Sequence, residues 1–231
     1  MDEQQEITYE NGDRYVGTVE DKKRHGRGKH FYANGDVYEG EFKHNKKWGD
    51  GVYKFVNGDK YIGQFENNTF HGDGEYIWAN GDKYKGRFVN GAMSGEGSYL
   101  YANGDVYLGD FKDNKMNGQG AYKDTTDSLY KGSFVNNSRM GRGSINANGN
   151  KYVGDWVDNF RQGRGEYTKL NGEHYEGEMF RDVKHGKGTL KTPEGMLYVG
   201  SFSRDKLDGP CVATVNGKSE PQEFANGIRV G

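Results

Sequence analysis

Large apolar side chains are sparse along this chain, but they return at fixed intervals. Tyr-x-Gly begins at Tyr15, Tyr38, Tyr61, Tyr84, Tyr107, Tyr130, Tyr152, Tyr175 and Tyr198, a spacing of 23 residues with one interval of 22. Two residues beyond each glycine stands a bulky residue: Phe42, Phe65, Phe88, Phe111, Phe134, Trp156, Met179 and Phe202, with Val19 in the first copy. Seven residues further comes Gly-x-Gly, as in Gly49-Asp50-Gly51 and Gly72-Asp73-Gly74. Tyr61, Gly63 and Phe65 alternate with Lys60, Ile62 and Gln64, the period of two that marks a strand. Gly51-Val52-Tyr53-Lys54-Phe55 alternates in the same way, and Val56-Asn57-Gly58-Asp59 lies between the two runs. Asn-Gly favours a tight hairpin because both residues tolerate positive φ. Each repeat therefore predicts one β-hairpin.

Parity decides which side chains share a face. A two-residue loop at Asn57-Gly58 would set Tyr53 opposite Ile62 and split the aromatic sets between faces. A loop with an odd residue count, with Gly58 in the left-handed region, sets Tyr53 opposite Tyr61 and Gly49 opposite Phe65. The odd loop is preferred. It gives one face of Tyr, Phe and Gly, with rings lying over glycines, and one charged face. A lone hairpin is marginal in water, so nine must stack on their neighbours. The expected fold is all-β, an elongated single-layer antiparallel sheet of stacked β-hairpins that coils enough to have a concave side. Residues 1–14 read as a half-hairpin opening the array, 15–209 as nine repeats, and 210–231 as a C-terminal cap in which Pro210 and Pro221 block further strand addition. "KDTTDSLYKG" lacks Asn-Gly-Asp, and "SINANGNKY" is one residue short before its turn, so a local kink or change of twist is expected between residues 121 and 150.

Composition agrees with a thin, ordered sheet. Only 32% of the 231 residues are hydrophobic and 38 are glycine, which leaves little for a thick core. Yet 17 Tyr, 12 Phe and 3 Trp at a net charge of -2 are not the composition of a disordered chain. The balanced charge gives no general attraction to nucleic acid. Cys211 is the single cysteine, so no internal disulfide is possible, and the acidic start lacks the pattern of a signal peptide. A soluble, intracellular, cytoplasmic protein is expected.

The recurring "NGDxYxGxFxxNxxxGxGxY", intact in "NGDKYIGQFENNTFHGDGEY" and nearly so in "NGDVYLGDFKDNKMNGQGAY", resembles the MORN (membrane occupation and recognition nexus) repeat family over about residues 7 to 209. The resemblance implies a solenoid of β-hairpins. It also implies a place among cytoskeletal scaffolds, ciliary radial-spoke proteins, adaptors for helical peptides, junctional membrane proteins and modules fused to lipid kinases or a methyltransferase.

No residue set suggests catalysis. His25, His71 and His185 hold one repeat position in different hairpins, too far apart to share a metal, and His30, His44 and His174 have no ligand spacing. Gly-x-Gly is never followed by the Lys-Ser/Thr of a phosphate loop. Asp13, Asp36, Asp59, Asp82 and Asp105 offer one carboxylate per turn, which suits turn chemistry rather than calcium. Cys211 has no nearby base to make it a nucleophile. No cofactor, metal, nucleic acid or small-molecule substrate is expected.

Two features suggest binding. Tyr38, Tyr53, Tyr61, Phe65, Tyr76, Tyr84, Phe88, Tyr99 and Tyr107 are candidates to line a partner groove on the concave aromatic face. Lys22, Lys23, Arg24, Lys43, Lys46 and Lys47 fall on neighbouring connections and are candidates for an anionic partner such as a phosphoinositide headgroup. The expected function is a non-enzymatic protein-interaction scaffold of a ciliary, flagellar or cortical cytoskeletal assembly, holding a helical peptide or an axonemal component. Weak binding of anionic lipid and service as a regulatory module of an enzyme complex are the alternatives.

Overall fold

The computed structural model describes residues 4–230, which divide into two compact units on either side of the Lys115/Met116 boundary. The first unit contains β1 (Gln4–Thr8), β2 (Arg14–Glu20), β3 (Lys23–Phe31), β4 (Val37–Lys43), β5 (Lys46–Lys54), β6 (Lys60–Glu66), β7 (Thr69–Ile77), β8 (Lys83–Val89), β9 (Ala92–Leu100) and β10 (Val106–Lys112). Each strand pairs antiparallel with the next in sequence. The second unit runs from β11 (Lys115–Lys123) through β12 (Leu129–Val135), β13 (Ser138–Ala147), β14 (Asn150–Val157), β15 (Phe160–Thr168), β16 (His174–Phe180), β17 (Val183–Lys191), β18 (Leu197–Ser203), β19 (Lys206–Val215) and β20 (Lys218–Ala225) to β21 (Ile228–Arg229), paired in the same way. No helix occurs among the described residues, and the architecture is all-β.

Two turn types alternate. Between β5 and β6, Phe55 N–H donates to Asp59 O at 3.0 Å, Gly58 N–H donates to Phe55 O at 3.1 Å, and Gly58 has φ +95°. Tyr53 therefore faces Tyr61 and Gly49 faces Phe65, the register that an odd loop requires. Between β6 and β7 the turn is two residues, Asn67 (φ 50°) and Asn68 (φ 72°), whose twist matches the flanking strands. Just before it the register slips, with Gln64 of β6 opposite the bulged His71, Gly72 and Asp73 of β7.

The core is a row of tyrosines laid over glycine pairs. Eight of the nine Tyr-x-Gly tyrosines, Tyr15 to Tyr175, are 0–2% exposed. Tyr61 lies across Gly63 and Gly74, donates its hydroxyl to Gln64 O at 2.8 Å, and meets Phe65 and Phe88 edge-on, both with centroids at 5.1 Å. A Cβ on Gly74 would stand 2.5 Å from the Tyr61 hydroxyl, so only glycine leaves room for the ring. Each such edge-to-face pair adds roughly 0.5–1.5 kcal/mol beyond area burial, and each phenylalanine joins two consecutive repeats.

The irregular stretch between residues 121 and 150 is absorbed in its turns. Asp127 (φ 64°) takes the left-handed place that glycine holds elsewhere, and Asp124 N–H still donates to Ser128 O at 3.1 Å. The short copy turns on Asn148 and Gly149 alone, closing Ala147 against Asn150 while Ile145 stays opposite Tyr152. Residues 210–230, expected as a cap, carry the end of β19 together with β20 and β21; Pro210 and Pro221 stand in the β19–β20 ladder opposite Glu223 and Val212. There Cys211 occupies the glycine position opposite Gly200, and Tyr198, with no glycine pair to lie on, is half-exposed. Residues 1–3 and 231 of the expected end segments lie outside the described residues.

Candidate functional site

Burial sorts the nine groove candidates. Tyr38, Tyr61, Tyr84 and Tyr107 are 0% exposed, Phe88 2%, Phe65 3% and Tyr53 8%, so these seven hold the sheet together and present almost no area to a partner. Tyr76 and Tyr99 are half-buried. Parity brings all nine to one face, but neighbouring repeats then cover most of them.

The area that remains comes from residues whose importance the repeat pattern did not suggest. Tyr9, Tyr32, Phe55, Trp78 and Tyr101 stand two positions before the five Asn-Gly-Asp turns of the first unit, and all are half-buried. They interleave with the position held by His30, Tyr53, Tyr76 and Tyr99. Ring centroids run His30–Tyr32 4.4 Å, Tyr32–Tyr53 5.7 Å, Tyr53–Phe55 4.5 Å, Phe55–Tyr76 5.9 Å, Tyr76–Trp78 4.5 Å, Trp78–Tyr99 5.2 Å and Tyr99–Tyr101 4.5 Å. The result is one continuous row of rings along the turn side of the aromatic face.

Turn aspartates fix that row. Asp59 accepts from Tyr76 Oη at 2.8 Å with one oxygen and from Ala79 N–H at 2.8 Å with the other. Asp36 does the same for Tyr53 and Val56, and Asp82 for Tyr99 and Ala102. In the first copy Asp13 accepts from His30 Nε2 at 3.1 Å and from Ala33 N–H at 2.9 Å. Burial alone would raise the carboxyl pKa of Asp36 and Asp59, but the bonds from Val56 and Tyr53, and from Ala79 and Tyr76, hold both below the usual value. The Ala102 N–H holds Asp82 down, and the Ala33 N–H and His30 do so for Asp13. Sequence gave these aspartates to turn chemistry; the turn is only half of their work.

A further repeat position roofs the tyrosines. The ninth residue after each Tyr reads Arg24, Lys47, Phe70, Met93, Met116, Arg139, Arg161, Lys184 and Leu207. Phe70 stacks on Tyr61 at 3.9 Å, and Lys47 Nζ lies 4.4 Å from the Tyr53 centroid. Its backbone is clipped from the next repeat, as when Asn68 N–H donates to Lys47 O at 3.1 Å and Lys47 N–H donates to Asn68 Oδ1 at 2.8 Å.

This roof divides the basic candidates. Arg24 turns inward, with its guanidinium 5.2 Å from the Phe42 centroid and Nη1 2.8 Å from His30 Nδ1. Lys47 is half-buried, and burial pushes its pKa down to about 8. Lys22, Lys23, Lys43 and Lys46 are exposed, with Lys43 packed over Trp48 and Lys46 bonded to Asn67 Oδ1 at 3.0 Å. The six do not form one patch.

The opposite face is charged in both signs. In the first unit a hollow of about 650 Å³ is lined by Gly28, Gly40, Gly51 and Gly63 between Arg27, Lys29, Glu39 and Asp50; Lys29 and Glu39 pair at 3.1 Å. The second unit has the equivalent hollow, about 720 Å³, at Gly165, Gly177, Gly188 and Gly200. Among the described residues no group of three or more His, Cys, Asp or Glu side chains is placed to hold a metal ion.

Curated protein sequences gave no match. Among solved structures, the TCP10 domain of Danio rerio CPAP is 12% identical with a TM-score of 0.48, over 85% of this chain and 94% of that one. The TCP domain of SAS-4 (dCPAP) of Drosophila melanogaster, in complex with a proline-rich motif of Ana2, is 14% identical with a TM-score of 0.33, over 87% and 90%. These scores fall short of a shared fold. The MORN repeat model, by contrast, matches nine consecutive segments: residues 15–37, 38–60, 61–83, 84–106, 107–128, 130–151, 152–173, 175–196 and 198–217. Each segment begins at a Tyr-x-Gly tyrosine, and the chain belongs to the MORN repeat family, whose repeats serve protein or membrane interaction.

Proposed function

We propose that this chain is a non-catalytic scaffold that binds a protein partner along the half-buried aromatic row of its first unit, within a ciliary, flagellar or cortical cytoskeletal assembly of the cell. The continuous row from Tyr9 to Tyr101 is the observation that carries this reading. Tyrosine and tryptophan dominate binding hot spots because they offer large contact area at low entropy cost. Here their ring planes are already fixed by neighbours and by the aspartate bonds, so little ordering remains to be done on binding. An amphipathic helix or an extended peptide lying across the repeats meets the same ring chemistry once per period.

The test is proximity labelling from the full-length protein in its native cell, compared with a Phe55→Ser, Trp78→Ser variant whose circular dichroism matches the parent. One or a few cytoskeletal proteins labelled by the parent and lost with the variant is the expected result. Labelling that survives the two changes in a folded variant would sink this surface as the binding face. The second reading, phosphoinositide recognition, rests on the exposure of Lys22, Lys23, Lys43 and Lys46. It predicts salt-sensitive binding to anionic vesicles that charge reversal at these four positions abolishes.

A further inference from the structure

The shortened copy leaves a gap in the aromatic face of the second unit. Where the first unit carries Tyr32, Phe55 or Trp78, this copy has Ala147, and where it carries Tyr53 or Tyr76 this copy has Ile145. The loss of two rings and one turn residue opens a hollow of about 310 Å³, bordered by Ile145, Ala147, Tyr167, Arg139 and Arg161. Liquid water takes up ~30 Å³ per molecule, so the space admits a side chain.

Its charge is unbalanced. Arg161 has a carboxylate: Nε donates to Asp182 Oδ1 at 3.0 Å and Nη2 to Asp182 O at 2.8 Å. At the corresponding place Arg139 meets the neutral Asn159, donating from Nη2 to its carbonyl at 3.1 Å and from Nε to Oδ1 at 3.4 Å. Among the described residues no carboxylate lies within ion-pair distance of Arg139, and nothing accepts from its Nη1. Two cations and one anion border the hollow. Burial pulls the Arg139 pKa down, partly offset by Tyr130 and Asp182 and reinforced by Arg161, as expected of an under-compensated charge. The guanidinium is meanwhile held by its bonds to Asn159 and lies over two rings, with its carbon 4.5 Å from the Trp156 centroid and 5.6 Å from that of Tyr130.

We propose that this hollow is a carboxylate-binding subsite, in which Arg139 receives a glutamate or aspartate side chain of the protein partner. The identification of a protein partner rests on the scaffold reading above, since the hollow opens on the aromatic face of its own unit, at the repeat positions that carry the row in the first unit. A fixed guanidinium with donors to spare matches a carboxylate in a two-bond fork. A monoanion restores the missing charge, whereas a phosphate dianion would reverse the imbalance. The apolar walls at Ile145, Ala147 and Tyr167 suit the methylenes of an acidic residue.

The subsite is tested on the full-length protein by NMR titration, following the Arg139 Nε–H and Trp156 indole signals. The probes are acetyl-Gly-Leu-Glu-Leu-Gly-amide, its Gln counterpart and inorganic phosphate. Met93 and Met116 occupy the position of Arg139 in other repeats, so Arg139→Met is compatible with the fold; Arg139→Lys keeps the charge without the fork. The expected result is saturable shifts with the Glu peptide, at least tenfold weaker binding for the Gln peptide and for Arg139→Met, and an intermediate loss for Arg139→Lys. Equal binding of the two peptides, indifference to Arg139→Met, or a response to phosphate alone would each overturn the assignment. The Phe55 and Trp78 variants leave this site intact, so failure of the scaffold reading and failure of the subsite are separately visible.

Discussion

The two units are built from the same hairpin but wired differently. In the first, the five long turns that open on Asn-Gly end in an aspartate, and four of those aspartates are shown to hold the next repeat through a ring hydroxyl or imidazole and a main-chain N–H. In the second, the same place is taken by Ser128, Asn150, Glu173 and Met196. Asn150 keeps only the main-chain bond, to Leu170 N–H at 3.0 Å, and Glu173 instead takes the buried Lys184 Nζ at 2.6 Å. The aromatic row lapses there as well, since the residues matching Tyr32, Phe55 and Trp78 are Asp124, Ala147, Lys169 and Thr192. Tyrosine over glycine is thus the requirement of the fold, while the turn-side edge is free to vary and so is where function can differ.

The largest test of this division is loss of a buried ring from each unit. Tyr61→Ser and Tyr152→Ser should each cost about 3–5 kcal/mol, read as lost protection in native-state hydrogen exchange of the unit concerned. A markedly smaller loss in either unit would break the claim that the tyrosine row is common to both. Next in size is the staple. Asp59→Ala strands the Tyr76 hydroxyl and the Ala79 N–H and should cost about 1–3 kcal/mol, whereas Asn150→Ala removes one bond at an exposed turn and should cost about 0.5–1.5 kcal/mol. Urea titration separates the two.

Acid sharpens the same contrast. Asp13, Asp36, Asp59 and Asp82 have folded pKa values below their unfolded ones, so their contribution is complete above about pH 4 and is lost as pH falls through the folded values. In the second unit Asp124 and Glu173 are held down in this way. Lowering pH from 6 to 3 should therefore strip exchange protection from the first unit more than from the second. Equal losses would show that the staple does not set acid stability. The smallest effect is expected at the roof. Lys47→Met at pH 6 removes a half-buried cation from over an aromatic ring and should change stability by less than about 1 kcal/mol, towards greater stability. The same exchange at Lys184 removes the buried cation that Glu173 holds and should destabilise, and like signs at the two sites would refute the difference in wiring.

Most of the fold was legible because it depends on parity and on excluded volume, and both are written in residue type. Tyr53, Tyr61 and Gly58 alone determine the loop count and the face. The site was less legible for a definite reason. Alternation reports which face a ring occupies, but whether it is covered depends on the residue nine positions on and on the ring two before the next Asn-Gly. Both positions vary in kind, from Arg24 to Phe70 and from Tyr32 to Asp124, so they do not stand out as repeats. Bulk over the tyrosine is common to the ninth position in every copy but to the other position only in the first unit, and aligning the copies by their tyrosines would have exposed both. The basic candidates misled similarly, because Arg24 and Lys47 belong to that roof and only their neighbours are solvent charges.

The clip that joins Asn68 to Lys47, and Asp59 to Ala79, never reaches past the adjoining repeat. Excision of residues 61–83 would bring Tyr84 to the place of Tyr61 and offer Asp59 the Tyr99 hydroxyl and the Ala102 N–H in exchange for those it lost. Gene duplication or deletion by whole periods is therefore nearly neutral for such a chain, whereas an insertion of one or two residues is not. Copy number becomes a heritable variable in its own right, so a lineage could match the reach of the binding face to a longer or shorter partner without redesigning a single contact.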